Sequence, residues 1–290
     1  MSPPGSCKTK GVLLKTTAVC PACHGPLSDA PACARCGVAY GSLDGVPVLM
    51  PGADLGAIDL RATGGALPTY DCAHMGIGVI DDALARGDRI LELGAGLDVH
   101  DSGNVVKTDA FVYPGAQLDL VADAHALPFP DASFDFVFSL AVFEHLHSPW
   151  IAAREMARVL RPGGAAYTLC AFLQPLHGYP DHYFNATESG LGRLFADDFE
   201  VLGAGPSRHC PHRESLVPLH RMREMAVAVR DDRAAGWRTR LRAWRLDHAL
   251  GRASHELFQI ADDAIARPAG FAAWRQIAPA VEVHAVRRAA

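Results

Sequence analysis

The stretch Asp88-Arg-Ile-Leu-Glu-Leu-Gly-Ala-Gly96 decides the fold. Its apolar run is short, bounded, and followed by glycines at alternate positions, the pattern of a buried strand running into a tight turn. Before it, Ile77 to Arg86 reads as a short helix. After it come a strand from Asn104 to Lys107 ending near Asp109, one from Leu118 to Val121 leading to Asp123, and a strongly apolar one from Phe134 to Leu140. Pro149 to Leu160 is a helix with Ser148 as N-cap and proline at its first position, stopped by Arg161-Pro-Gly-Gly164. Ala165 to Ala171 is the next strand. This alternation predicts an α/β fold with a parallel, doubly wound sheet, whose ligands sit at the carboxyl ends of the strands.

Further on, Thr187 caps a short helix running to Ala196, and Phe199 to Leu202 reads as a sixth strand. Helical periodicity then runs through Arg213 to Val229, Asp231 to Leu250 and Ser254 to Ala266, before Ala280 to Val286 alternates like a strand. The helices are read as an insertion before the last strand, placed to cover the active-site edge.

A chain of 290 residues with 49% hydrophobic and 20% charged residues has the composition of a folded protein and excludes a disordered, collagen-like or disulfide-scaffold chain. No apolar run approaches the ~18 residues of a membrane span, and Val12 to Leu14 is too short for a signal-peptide core, so a cytoplasmic protein is expected. The net charge of −5 hides an asymmetry: Arg208 to Arg252 holds 11 Arg against 5 acids, a local +6, and the remainder carries −11. Arg238, Arg242 and Arg245 share one helix face, with Trp237, Leu241 and Trp244 on another. A solvated or acid-paired face explains such a run. An anionic substrate, a membrane surface or RNA are the alternatives.

Eight cysteines are more than a chain in a reducing compartment needs, and four fall within 17 residues. Cys20-Pro-Ala-Cys23 and Cys33-Ala-Arg-Cys36 are two CxxC pairs separated by nine residues. Each pair forms a knuckle with two thiolates on one side, so Cys20, Cys23, Cys33 and Cys36 complete a closed tetrahedral site for a structural zinc. His24 is read as a bystander. Gly37 suits a sharp turn after the second pair, and Asp44-Gly45 precedes a strand from Val46 to Met50.

The pattern CPxCHGPL, CxxCGxxY and LDGVPVLMP, from Cys20 to Pro51, resembles the zinc ribbon of the small activator proteins of tRNA and protein methyltransferases. From about Arg89 to Ala204 the ordered set of Glu92-Leu-Gly-Ala-Gly96, Asp109, Asp123-Ala-His-Ala-Leu-Pro-Phe-Pro-Asp-Ala-Ser-Phe-Asp135, Glu144-His145 and Arg158-Val-Leu-Arg-Pro-Gly-Gly164 resembles the class I S-adenosylmethionine-dependent methyltransferases of the type 11 group. That resemblance implies a Rossmann-like seven-stranded sheet with an antiparallel last strand. It implies that Glu92, Gly94, Ala95 and Gly96 approach the methionine part of the cofactor. Asp109 would accept the ribose hydroxyls, Asp123 and Ala124 would address the adenine, and Ser139 and Ala141 would lie beneath the sulfonium. One departure is evident: only Leu97 to Thr108 separates the first motif from the ribose acid, too short for a crossover helix plus strand, and Asp98 stands where the third glycine is expected.

Methyl transfer asks the protein to position an acceptor and remove its proton. The candidate bases follow the fourth and fifth strands: His177, His182 and His145, in that order. Tyr179, Tyr183 and Phe184 beside them read as lid packing. The organisation expected is an N-terminus over 1–19, a ribbon over 20–51, a linker over 52–73, a methyltransferase core over 74–205, a helical cap over 206–278 and the last core strand over 279–290. The leading function is methylation of a small-molecule or glycan-type acceptor at oxygen or nitrogen. An RNA methyltransferase ranks second, and a non-catalytic pseudomethyltransferase scaffold is the third class.

Overall fold

The computed structural model describes residues 18–28, 32–50, 69–177, 181–209, 217–265, 274 and 278–289. Its nine strands are β1 (Gly41–Leu43), β2 (Val46–Leu49), β3 (Ile90–Leu93), β4 (Val105–Asp109), β5 (Leu120–Ala122), β6 (Phe134–Leu140), β7 (Leu160–Ala171), β8 (Phe199–Pro206) and β9 (Ala280–Arg287). They form one sheet in the order β1-β2-β5-β4-β3-β6-β7-β9-β8. β3 to β7 run parallel, and β9 inserts antiparallel between β7 and β8. The seven strands expected of the core are thus present, with β9, the last in the chain, antiparallel as expected.

The two additional strands come from the cysteine segment. Asp44 and Gly45, both left-handed with φ of 51° and 85°, turn β1 into β2. β2 then pairs in parallel with β5, Val48 opposite Val121 and Leu49 opposite Ala122. Val19 N–H donates to the Pro128 carbonyl at 2.8 Å, a second tie to the core. Leu49 is buried in the main core, with Ala18, Leu27 and Tyr40 against it. So small a segment buries too little apolar surface to hold a core alone, and it uses the sheet's.

The helices are α1 (Gly78–Arg86), α2 (Pro149–Val159), α3 (Glu188–Phe195), α4 (Val217–Asp231) and α5 (Trp237–Ile265). Ser148 occupies the N-cap of α2 but makes no capping bond; its Oγ instead lies 2.9 Å from His147 Nδ1. The Arg161-Pro-Gly-Gly164 segment does not separate α2 from β7; it is the irregular start of the strand, with Gly163 left-handed and the register shifting between Phe134 and Phe136. β8 continues past Leu202 to Pro206 because β9 keeps pairing with it. The last two helical stretches merge into α5, since one interior glycine, Gly251, costs only about 1 kcal/mol relative to alanine. Residues 213–216 and 266 of the helical stretches lie outside the described residues. α4 and α5 pack chiefly on each other, with Arg223 and Arg230 converging on Asp247 at 2.7 and 2.8 Å.

The short connection between β3 and β4 has no helix. It is wound around Lys107, whose side chain is wholly buried. Lys107 Nζ donates to the carbonyls of Asp98 and His100 at 2.7 and 2.8 Å and lies 3.8 Å from the Asp98 carboxylate. Asp98 Oδ1 accepts from the main-chain N–H groups of Cys72 and His100 at 3.1 and 3.0 Å. Replacing the ammonium strands two carbonyls and a buried carboxylate. Lys107→Met is therefore expected to cost about 3–5 kcal/mol in urea denaturation, with part recovered by adding Asp98→Asn.

Candidate active site

Gly94 and Gly96 have φ of +70° and +50°, the left-handed backbone that the turn after β3 demands. A Cβ on Gly94 would lie 2.3 Å from Val142 Cγ2, so the missing side chain also admits the turn that leaves β6. The N–H groups of Gly94 and Ala95 donate to the Thr108 carbonyl at 2.8 and 3.0 Å. Gly96 N–H donates to Asp109 Oδ2 at 3.0 Å, and Phe111 N–H donates to Oδ1 at 2.9 Å. The first turn and the acid at the end of β4 are thus one bonded unit. Burial pushes the Asp109 carboxyl up to about 6 despite the N–H donors from Phe111 and Gly96.

Beneath the turn lies Glu92, 1% exposed. The Tyr70 hydroxyl donates to Glu92 Oε1 at 2.7 Å and lies 3.1 Å from the Ala95 carbonyl. Burial, and after it the Asp98 charge, hold Glu92 well above the usual carboxylate range. It supports the turn from below through its bond to Tyr70. Tyr70 sits in what reads as linker, and no local pattern marks it; only its distance from β3 in the fold shows its part.

At the end of β5, Asp123 Oδ1 accepts from His125 N–H at 2.9 Å and from His125 Nδ1 at 2.6 Å. Burial opposes ionisation there, but the His125 bonds outweigh it and hold Asp123 below its ordinary value. His125 Nε2 accepts from Ser148 N–H at 3.3 Å, and its ring stacks on His147 at 4.2 Å. Ala124 follows, half-buried. Ser139 is buried, and its Oγ donates to Thr168 Oγ1 at 3.2 Å, tying β6 to β7. Ala141, with φ of 56°, is a left-handed alanine at the end of β6, a conformation costing about 1–2 kcal/mol. Its N–H donates to the Leu169 carbonyl at 3.0 Å.

The three sequence-ranked histidines converge. Ring centroids of His177 and His182 are 4.3 Å apart, those of His145 and His177 5.3 Å, and those of His145 and His182 5.7 Å. His145 belongs to a helical turn, Phe143–His145, after β6; the other two lie in the segment after β7. Main-chain N–H groups of Tyr183 and Phe184 donate to the Glu144 carbonyl at 2.8 and 3.2 Å, fastening that segment to the turn. His145 Nδ1 donates to the Asp181 carbonyl at 2.7 Å and His177 Nδ1 to the Pro175 carbonyl at 2.9 Å. His182 has both ring nitrogens engaged: Nδ1 accepts from His177 N–H at 3.4 Å and Nε2 donates to the Phe184 carbonyl at 3.0 Å. Tyr183 is exposed, its hydroxyl on Asp181 Oδ2 at 3.0 Å; Tyr179 lies outside the described residues.

At the far edge of the sheet, Sγ of Cys20 and Cys36 are 3.6 Å apart, and those of Cys23 and Cys33 3.4 Å. All four sulfurs lie within 4.8 Å of one another. Zn–S bonds of about 2.3 Å give a tetrahedron with sulfur–sulfur edges of about 3.8 Å, so the cluster has the right size. Main-chain N–H groups of Arg35 and Cys36 donate to Cys33 Sγ at 3.3 and 3.4 Å, which favours a thiolate there. His24 is not part of the group.

Residues 93–168 match the methyltransferase domain family. The chain is 37% identical to the 27-O-demethylrifamycin SV methyltransferase of Amycolatopsis mediterranei over 28% of its own length and 38% of the relative's. It is 30% identical to the ubiquinone/menaquinone biosynthesis C-methyltransferase UbiE of Neisseria meningitidis, over 40% of this chain and 57% of that one. These matches span less than two thirds of either relative. Among solved structures, the phosphoethanolamine N-methyltransferase 2 of Haemonchus contortus, in complex with phosphomonomethylethanolamine and S-adenosylhomocysteine, aligns with a TM-score of 0.41 and 12% identity, covering 74% of this chain and 53% of that one.

Gly94→Ala combines a left-handed backbone with a contact that Val142 must vacate. It is expected to lower stability by about 2–4 kcal/mol in chemical denaturation, and Gly94→Ala with Val142→Ala to recover the steric share.

Proposed function

We propose that the chain is an S-adenosylmethionine-dependent methyltransferase whose acceptor is a small molecule or glycan-type compound, methylated at oxygen or nitrogen. The observation that supports this reading is the bond between Gly96 N–H and the buried Asp109 carboxylate, which would form the nucleoside side of a cofactor site from main chain and one acid. The two Asp109 oxygens each accept one N–H, and each keeps a lone pair for a ribose hydroxyl. Gly94 to Gly96 would hold the methionine part with Glu92 beneath, Asp123 and Ala124 the adenine edge, and Ser139 and Ala141 the strand end under the sulfonium. When bound, the cofactor supplies a methyl group made electrophilic by positive sulfur.

The remaining work belongs to residues at the ends of β6 and β7, where the chain must orient an acceptor and take its proton. His145 and His177 each give Nδ1–H to a carbonyl, which leaves Nε2 as the basic nitrogen in the neutral ring. His182 spends both nitrogens on main chain, which suits it to positioning the other two. The relatives named above act, by their names, on an oxygen of a rifamycin and on a carbon in quinone biosynthesis, and the Asp109 side of the site does not depend on which. The four cysteines we assign to one structural zinc, whose binding would supply folding energy to the ribbon.

Calorimetry on purified protein tests the first assignment: S-adenosylmethionine should bind, and Asp109→Ala should weaken it at least tenfold. The ribose hydroxyls need the carboxylate, and Asp109 takes up a proton near 6 in the free protein. Affinity should therefore be level above that pH and fall roughly tenfold per unit below it. A profile level from pH 5 to 8 would remove Asp109 from the ribose site. For the ribbon, elemental analysis should find one tightly held zinc per chain, lost in Cys33→Ser.

A further inference from the structure

We propose that the N-terminal half of α5 is a membrane-docking surface, which lays Trp237, Leu241 and Trp244 into the interface of a leaflet that contains anionic lipid. The three fall at i, i+4 and i+7 and so share one stripe of the helix. That stripe is not what holds the helix to its neighbour. α5 meets α4 on the side of Asp247, which is buried and takes Arg223 and Arg230 from α4. Trp237, Leu241 and Trp244 are left 70%, 41% and 46% exposed. Single exposed apolar residues are ordinary, whereas a contiguous set with a polar rim marks a surface of interaction.

The rim is positive. At about 3.6 residues per turn, Arg238 and Arg245 border the stripe on one side and Arg240 on the other. Residues 237–252 hold five arginines and one acid, and that acid is the Asp247 already engaged by α4. The two helices differ in this respect. The arginines of α4 pair with Glu224, Asp231 and Asp247, but among the described residues Arg238, Arg242, Arg245 and Arg252 make no ion pair. The Arg238 guanidinium lies 5.4 Å from the Trp237 ring centroid, so cation and indole are presented together.

A helix that carries arginine beside tryptophan and leucine lies in the plane of a membrane interface. Its apolar side chains enter the acyl boundary while the guanidinium groups reach back to lipid phosphates. Indole rings favour that depth. No helix among the described residues is long and apolar enough to cross a membrane, so α5 would lie on the bilayer and not through it. The unpaired arginines select the leaflet, because each is attracted to an anionic surface and gains little from a neutral one. Nucleic acid is the competing polyanion. Its phosphates would suit the arginines, but Leu241 gains nothing from them, and the chain outside 208–252 carries −11, which opposes a polyanion extending past the helix.

This inference stands apart from the methyltransferase reading and is tested without it. Full-length protein is floated with vesicles of phosphatidylcholine, with and without phosphatidylglycerol. It should float with the anionic vesicles and not with the neutral ones, and its tryptophan emission should shift to the blue on binding. Arg238→Gln, Arg242→Gln and Arg245→Gln together should weaken binding at least tenfold, since each charge adds its own attraction. Trp237→Ser with Trp244→Ser should weaken it to a similar degree and abolish the blue shift. All five positions are exposed, so unchanged melting curves show that the variants fold. Failure to float with anionic vesicles, equal flotation with neutral ones, or full affinity in either folded variant would overturn the surface. Binding of transfer RNA more tightly than anionic vesicles, with a steep salt dependence, would also overturn it and assign the face to nucleic acid.

Discussion

The Lys107 ammonium is the interaction on which the arrangement of the site depends. Parallel neighbours need a connection that returns the length of a strand, usually through a helix that satisfies its own main chain. Between Leu93 and Val105 the chain has residues 94–104 for that return. An extended path of that length reaches roughly 36 Å, ample for a short strand, so distance is no obstacle. The difficulty is hydrogen bonding, because a buried loop leaves carbonyls without donors. Lys107 supplies two of the missing donors from inside the sheet, and the segment around Tyr70 and Cys72 supplies and accepts others. With the return so compact, β4 meets β3 in register and Asp109 arrives against Gly96.

The cysteine segment applies a second constraint at the edge of the same sheet. An open parallel edge invites pairing with other chains. β2 closes the edge of β5, and the exposed border becomes β1, only three residues long. Leu49 pairs with Ala122, the residue immediately before Asp123. Whatever holds the four sulfurs together therefore also holds the strand that ends before Asp123, and the cysteine segment is a structural part of the core.

What could be read from the chain without its fold was what is encoded over a few residues. The glycines after β3, the two CxxC pairs and the apolar run of β6 carry their conformations locally, and they stand where they were expected. Asp44-Gly45 is of the same kind. Lys107, Tyr70 and the unsatisfied oxygen of Glu144 were not legible, because each acquires its meaning from a partner far along the chain. The histidines fall between these cases. Their loop was recognisable from composition, but that His182 differs from His145 and His177 follows from which main-chain groups meet each ring. The extension of β8, the irregular start of β7 and the merging of α5 are likewise set by pairing and packing partners rather than by local signals.

Two buried acids, Asp109 at the end of β4 and Glu144 after β6, are not favoured by folding alone. Raising Asp109 from an ordinary carboxyl value to about 6 costs about 3 kcal/mol at neutral pH, since the folded chain then carries a charge that the unfolded chain bears more easily. The sign follows from linkage: stability declines as pH rises from the unfolded value to the folded one, and the full cost persists above it. Glu144 has an oxygen with no partner, and Ala141, in the left-handed region, adds backbone strain at the end of β6. Such features persist where a ligand offsets them. On the β4 side two ribose hydroxyls would do so. The close approach of Gly94 and Val142 brings the turns after β3 and β6 together at the point where the strand order reverses.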